Sequence, residues 1–260
     1  IFYYKGNLPD HIRISINSIL SVDETSSIYF CGSESFKNTN SRFNFLNEDE
    51  IKSNYIDQIN ELENFEKMDN NPLWKTSLQR IFYLYEIAQH FGINQFVHFD
   101  NDVIIYKSFE ELKSIFEKDK FNITCLSKDM LIFGYSYIDS LETYKSICDS
   151  LISIYKNKSH YEEKYYEGKS LVEMRGLFLS YIENREKFNL LPSLPEENQN
   201  ILFDPLSYGQ YLGGRHYKRF SKGYMDREHK TYNYMINRSI IPQYKQGTAK
   251  LFCNNKSVEL

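Results

Sequence analysis

The ten residues FVHFDNDVII, from Phe96 to Ile105, decide the fold of this 260-residue chain. The first four are apolar apart from His98 and have the length of a buried strand. Asp100 and Asp102 follow directly, so two carboxylates stand one residue apart at the carboxyl end of that strand. Ligands of open α/β sheets collect outside the carboxyl ends of the strands. The stretch therefore predicts a central strand with a polar site at its end.

The residues before this stretch predict a Rossmann-like half in which strands and helices alternate. Apolar runs predict the strands, and apolar residues at helical spacing predict the helices. The predicted strands lie at 1–4, 27–31 and 96–99, and the predicted helices at 9–20, 51–62 and 74–91. Residues 32–49 are polar and predict a loop, whereas residues 103–106 form a second apolar piece after the acidic pair.

The residues after the acidic pair have a less regular pattern. Predicted helices lie at 109–116, 138–156 and 169–184, predicted strands at 122–126 and 131–135, and a proline-bounded turn region at 190–195. The sequence contains no internal repeat and no low-complexity linker. We therefore predict one α/β domain over residues 1–260, with residues 1–117 as one half and residues 118–260 as the other.

Composition and charge narrow the classes of function. The net charge of −4 predicts no general attraction to nucleic acid. The four cysteines are scattered, which favours reduced thiols while leaving two disulfides open. No run approaches the roughly 20 apolar residues of an integral membrane span. We therefore expect a soluble, cytoplasmic protein, and an anchor beyond the ends of this sequence stays open.

The acidic pair has two interpretations. Hard divalent cations such as Mn²⁺ or Mg²⁺ take oxygen ligands and share their coordination shell with substrate phosphates. Asp100 and Asp102 are candidate ligands for such a cation, which would neutralise charge on a departing diphosphate. Asp-Asn-Asp is also a common solvated turn. The position after an apparently buried strand favours the metal site.

Four stretches of the sequence resemble glycosyltransferases of the GT-A fold, in the order found there. They are FYYKGNLP at 2–9, WKTSLQR at 74–80, VHFDNDV at 97–103 and FDPLSYGQYLGG at 203–214. The second and third together resemble the Ser-x-x-Arg helix followed by D-x-D in families 8 and 32, and in related sugar transferases of bacteria and large DNA viruses. The resemblance implies a GT-A-like, mostly parallel sheet flanked by helices, with an irregular acceptor-binding region toward the C-terminus.

The resemblance also implies roles for individual residues. Asp102 would be the direct metal ligand, and Asp100 would contact the metal or the ribose of the donor. Arg80 would contact the phosphates or the sugar of the donor. The donor-binding residues implied in this way are Arg80, Ser77, Tyr4, Lys5 and Asp100. Without the resemblance, Arg80 could be an ordinary exposed helix cation, Ser77 a neutral helix position and Tyr4 a core residue.

The second half of the sequence contains two candidate catalytic acids. Asp204 precedes Pro205 at the end of an apolar run, and it is a candidate general base for the acceptor hydroxyl or a candidate member of the metal shell. Glu173 lies on a predicted helix between apolar neighbours, and a buried acid there would be functional. A simple Asp-Pro turn and a helix-surface glutamate are the alternatives.

The segment from Gly213 onward combines glycines with positive charge. Gly213 and Gly214 permit a tight backbone that could approach a phosphate or sugar of the donor. His216 is a candidate third metal ligand. The following lysines and arginines could close over a diphosphate, or they could form a solvated basic face.

These observations lead to one predicted function and two alternatives. The prediction is a metal-dependent glycosyltransferase that moves a sugar from a UDP- or GDP-sugar to a hydroxyl of a glycan or glycoconjugate. One alternative is a non-catalytic carbohydrate-binding paralogue with the same fold. The other is a Mg²⁺-dependent D-x-D phosphohydrolase, whose motif normally lies near the N-terminus rather than at residue 100.

Overall fold

The helices of the protein follow the predicted amphipathic segments. The computed structural model describes residues 1–37, 42–62, 72–198, 200–205, 230–231, 234, 242–245, 248–253 and 256–259. Its α-helices are α1 (His11–Val22), α2 (Asn54–Asn60), α3 (Pro72–His90), α4 (Phe109–Leu112), α5 (Leu141–Lys156), α6 (Lys158–Tyr166) and α7 (Glu173–Glu183). Across these described segments, no helix has both the length and the apolar character that crossing a bilayer requires.

The strands form three hydrogen-bonded groups. They are β1 (Phe2–Tyr3), β2 (Ile28–Gly32), β3 (Phe43–Asn47), β4 (Phe96–Phe99), β5 (Phe121–Ser127), β6 (Met130–Ile138), β7 (Phe188–Leu191), β8 (Pro242–Lys245), β9 (Thr248–Cys253) and β10 (Lys256–Glu259). The first group has the order β1-β2-β3, the second β4-β6-β5-β7 and the third β10-β9-β8. The third group is an antiparallel meander.

The first two groups meet edge to edge at β1 and β4. The backbone nitrogen of Ile1 donates to the carbonyl of Val97 at 2.7 Å, and the side chain of Asn101 donates to the carbonyl of Tyr3 at 3.3 Å. The residue numbers of both strands increase in the same direction between these two contacts, so β1 and β4 lie side by side and parallel.

Among strands β1 to β7, only β6 opposes the common direction. The pairs β1–β2, β2–β3 and β5–β7 are parallel, whereas β6 pairs antiparallel with both β4 and β5. Strands β4 and β5 therefore run the same way on either side of β6. The mixed α/β fold with a parallel sheet flanked by helices is as the sequence predicted.

Alternation along the strands divides the core between the two faces of the sheet. Tyr3 and Phe96 belong to a cluster that also contains buried residues of α2, α3, α5 and α7. Phe2 and Phe99 belong to a second cluster with buried residues of α1 and α4. Successive side chains of a strand point to opposite faces, so each face receives its own helical layer.

A bulge interrupts β6 beside the end of β4. Ile123 of β5 pairs with Ser136, but the next residue, Thr124, pairs with Ile132. Residues 133–135 of β6 are therefore extra relative to β5. Such bulges re-aim side chains and are frequent next to active sites.

Three segments differ from the sequence predictions. Residues 32–49 are predicted to be a loop but contain β3, a short strand in which only three of five residues are apolar. Helix α6 was not predicted because, apart from three tyrosines, all of its residues are polar or charged. Part of the predicted turn at 190–195 belongs to β7, which gains its strand through pairing with β5.

Candidate active site

The acidic pair lies at the point where the sheet changes its strand order. From β1 the chain builds β2 and β3 on one side, whereas β4, the neighbour of β1 on the other side, leads to β6 and β5. Tyr4 directly follows β1, and Asp100 directly follows β4. Ligands of open α/β sheets bind in the crevice at such a switch point, outside the carboxyl ends of the strands.

Asp100 is fixed by its backbone and by its side chain. Its amide donates to the carbonyl of Gly134, in the bulge of β6, at 2.8 Å. Its Oδ1 accepts a hydrogen bond from Nη1 of Arg80 on α3. Burial raises the pKa of the Asp100 carboxyl; the guanidinium of Arg80 opposes this rise, and the carboxylate of Asp102 adds to it, so that the pKa lies above its ordinary value.

Arg80 lies between the carboxylates of Asp100 and Glu173. Its Nη2 lies 3.8 Å from Oε1 of Glu173, and its guanidinium lies 5.6 Å from the centre of the Phe133 ring. Burial disfavours the charged form, but the carboxylates of Asp100 and Glu173 outweigh it and raise the pKa of Arg80. The side chain therefore provides a permanent, oriented positive charge. Its Nε is buried without a hydrogen-bond partner.

Glu173 begins helix α7 and is only 4% exposed. Burial raises the pKa of its carboxyl to about 7, with Arg80 opposing the rise and Asp100 adding to it. The group therefore changes its protonation near neutral pH. The predicted contact of this acid with substrate stays a prediction, since the structure places its carboxyl against Arg80.

Asp102 and Asn101 complete the turn that follows β4. The amide of Val103 donates to the carbonyl of Asp100 at 3.0 Å and closes this turn. Asp102 is exposed on it. Asn101 faces the other way and bonds the carbonyl of Tyr3, so it ties the turn to the end of β1. The turn thus presents one acid to solvent and is attached to both strands of the switch point.

The carboxylate oxygens of Asp100 and Asp102 are suitable ligands for a hard divalent cation. Arg80 bonds Oδ1 of Asp100, and Oδ2 faces Gly134, where even a Cβ atom would lie 3.9 Å away. Since Gly134 has no side chain, no Cβ from that position contacts Oδ2. Mg²⁺ is commonly held by one or two carboxylates, with phosphates and waters as further ligands. Among the described residues, no group of three or more His, Cys, Asp or Glu side chains forms a metal cluster.

The other predicted donor-binding residues lie around the same edge of the sheet. Tyr4 is half-buried, and its amide donates to the carbonyl of Cys31 at 3.0 Å. Lys5 follows it and is exposed. Ser77 is half-buried on α3, one turn before Arg80, and no hydrogen bond within the described part of the chain links it to Arg80.

Asp204 lies beyond the opposite face of the same pair of strands. The ring of Phe203, its neighbour, packs 5.1 Å from the ring of Tyr135, which pairs with Phe99 of β4. Phe203 and Tyr135 belong to the core cluster on the α1 face, whereas Arg80 lies on the α3 face. Gly213, Gly214 and His216 lie outside the described residues.

Sequence reasoning missed the ionic group that α3, β4 and α7 build together. Arg80 and Glu173 are 93 positions apart, and no local pattern relates them. It also missed the glycine in the bulge of β6, which leaves room beside Asp100. The one local signal was the apolar setting of Glu173, which correctly indicated a buried acid.

Comparisons with known proteins give structural likeness alone. No family model matches the sequence, and no curated protein matches it. The fold is similar to mouse Xyloside xylosyltransferase 1 in its apo form, at 12% identity and a TM-score of 0.48, over 73% of this chain and 83% of that one. It is also similar to PaToxG Glycosyltransferase, at 11% identity and a TM-score of 0.39, over 70% of this chain and 66% of that one.

Proposed function

We propose that this protein is a metal-dependent glycosyltransferase. It moves a sugar from a nucleotide-diphosphate donor, UDP- or GDP-linked, to a hydroxyl of a glycan or glycoconjugate. One observation carries the proposal. Asp100 and Asp102 follow the central strand at the switch point of a mostly parallel sheet, and the half-buried Arg80 orients the first of them.

The acidic pair holds the donor through a cation. Asp100 offers Oδ2 and the exposed Asp102 offers its carboxylate to Mn²⁺ or Mg²⁺. When bound there, the cation would offset the negative charge of the leaving nucleoside diphosphate. Tyr4 and Lys5, which follow the neighbouring strand, are proposed to contact the nucleoside. Ser77, Gly213, Gly214 and His216 remain proposed contributors to the donor and metal sites.

Arg80 and Glu173 set the charge beneath the acidic pair. Arg80 prevents the Asp100 carboxyl from rotating and remains positive throughout the physiological pH range. Its fixed charge offsets part of the charge that develops on the diphosphate, and it needs no reorganisation during the reaction. Glu173 acts through Arg80. We assign the general base to Asp204, which is less buried than Glu173.

A thermal-shift screen tests the proposal. The protein is heated with UDP, GDP and their sugar conjugates, with and without Mn²⁺. We expect one nucleotide to raise the melting temperature only when Mn²⁺ is present, because a ligand that binds the native state alone stabilises it. EDTA should abolish the shift. A protein that no nucleotide stabilises with either cation would contradict the proposal.

One substitution in the proposed metal site and one at an exposed aspartate elsewhere test whether Asp102 itself is required. Asp102→Asn should remove the Mn²⁺-dependent shift and sugar transfer while leaving the melting temperature of the free protein nearly unchanged, because Asp102 is exposed. Asp57→Asn, at an exposed position of α2, is the matched control and should bind as the unmodified protein does. Release of inorganic phosphate from sugar phosphates would instead indicate the phosphohydrolase, and nucleotide binding without transfer the carbohydrate-binding paralogue.

A further inference from the structure

A second concave site lies on the same edge of the sheet as the acidic pair. It is a cavity of about 830 Å³ at the carboxyl ends of β5 and β7. Its lining includes Ser127 and Lys128 after β5, Leu191 and Pro192 after β7, and Asn198 in the following turn. Strand β6 alone separates β5 from β4. Two strand spacings, about 10 Å, therefore separate β4 from β5 across the sheet.

The cavity contains a hydrogen-bond acceptor whose orientation is fixed. Asn189 of β7 donates both of its side-chain N–H groups, one to the carbonyl of Ile115 at 3.2 Å and one to Oδ1 of Asn122 at 2.8 Å. The buried Asn122 cannot turn over, because its Oδ1 also accepts from the amide of Glu117 and its nitrogen donates to three carbonyls. Oδ1 of Asn189 is consequently the atom left for a ligand.

The cavity also contains a fixed donor. Oδ1 of Asn198 accepts from the amides of Asn200 at 2.9 Å and Ile201 at 3.1 Å, which sets the orientation of the side chain. Its Nδ2 is therefore the atom left to donate to a ligand. An acceptor and a donor, each held by other bonds, match a pair of hydroxyl groups, since a hydroxyl both donates and accepts.

Two of the three charged side chains that line the cavity neutralise each other, and the third, Lys128, is exposed. Glu197 is paired with Lys230 and accepts further bonds from the amides of Ser193 and Leu194. Its charge is therefore satisfied within the protein. An anion would meet the carbonyl oxygen of Asn189. A purely apolar ligand would remove water from both amides and leave them without partners, which is costly.

We propose that this cavity binds a neutral sugar unit of the acceptor, with Asn189 and Asn198 bonding its hydroxyls and Leu190, Leu191 and Pro192 packing on its apolar face. The assignment rests on the proposed function, because it gives the acceptor a place beside the donor site. It extends that function by naming the chemical class and the contacts of the acceptor.

Two variants and a matched control test the cavity. Leu190→Trp adds bulk at the β7 edge of the cavity, from a side chain that is 37% exposed, and Ile182→Trp makes the same change at a position of α7 that is 39% exposed and does not line it. Asn198→Asp keeps the oxygen that accepts from Asn200 and Ile201 but removes the donor. Each protein is mixed with lactose, maltose and chitobiose, and binding is measured by saturation-transfer NMR.

We expect at least one of the three disaccharides to bind the unmodified protein and Ile182→Trp equally. Leu190→Trp and Asn198→Asp should weaken that binding by about tenfold or more. Binding that survives either substitution, or folded protein that binds none of the three sugars, would overturn the assignment.

The Mn²⁺-dependent nucleotide shift, measured on the same samples, separates this assignment from the proposed function. Leu190→Trp should keep the shift, because the donor site is elsewhere. A nucleotide shift without disaccharide binding refutes the cavity alone. Disaccharide binding without any nucleotide shift refutes the glycosyltransferase and leaves the cavity as a sugar site.

Discussion

Replacing Glu173 by glutamine should stabilise the protein, and the gain should depend on pH. The carboxyl of Glu173 is buried at the start of α7, with Arg80 as its charged neighbour at 3.8 Å. Burial raises its pKa from an ordinary 4.5 to about 7. In the unfolded chain the same group ionises near its ordinary pKa. The folded protein therefore holds a proton that the unfolded chain has released.

The size of the effect follows from this difference. Each tenfold change in the protonation equilibrium is worth about 1.4 kcal/mol, so a rise from 4.5 to about 7 corresponds to about 3 kcal/mol. Below pH 4.5 both states are protonated, and Glu173 carries no penalty. The penalty grows between pH 4.5 and about 7 and is constant above that. Glutamine has a similar shape and no charge to lose, so Glu173→Gln removes the penalty.

Thermal and urea unfolding from pH 4 to pH 9 measure the difference between the two proteins. We expect no difference at pH 4 and a gain of about 3 kcal/mol at pH 8, roughly 6–12 °C in melting temperature for a chain of this size. Glu163→Gln, at an exposed position of α6, is the control and should show no such dependence. A gain that is the same at all pH values, or that is larger in acid, would refute the assigned environment of Glu173.

Two further predictions concern the packing beneath the site. Arg80→Met leaves the carboxyls of Asp100 and Glu173 buried without their cation. We expect the free energy of unfolding to fall by about 3–5 kcal/mol at pH 8 and by less at pH 5, where the acids take up protons. Urea unfolding at both pH values measures the loss, and an equal loss at both would contradict this expectation. Gly176→Ala should cost about 1–3 kcal/mol, because the new Cβ would lie 2.8 Å from Cε2 and Oη of Tyr155. Tyr155→Phe should recover part of that loss, since this Oη has no hydrogen-bond partner; a Gly176→Ala variant as stable as the parent would exclude the close contact.

The sequence determined the elements whose signals are local. Period and length predicted α1, α3 and β4 to within two or three residues, because one face of each packs on the core and repeats at a fixed spacing. The sequence also determined the position of the acidic pair, because residues that directly follow a strand lie at its carboxyl end.

Only the tertiary structure decided how the site is assembled. Strand β3 has a weak pattern and becomes a strand through its ladder with β2. Arg80 and Glu173 meet because α3 and α7 cover the same face of the sheet, although 93 positions separate them. The raised pKa of Glu173 and the fixed amide of Asn189 both arise from neighbours that are distant in sequence. Burial and charge pairing depend on three-dimensional neighbours, and a linear pattern contains no record of them.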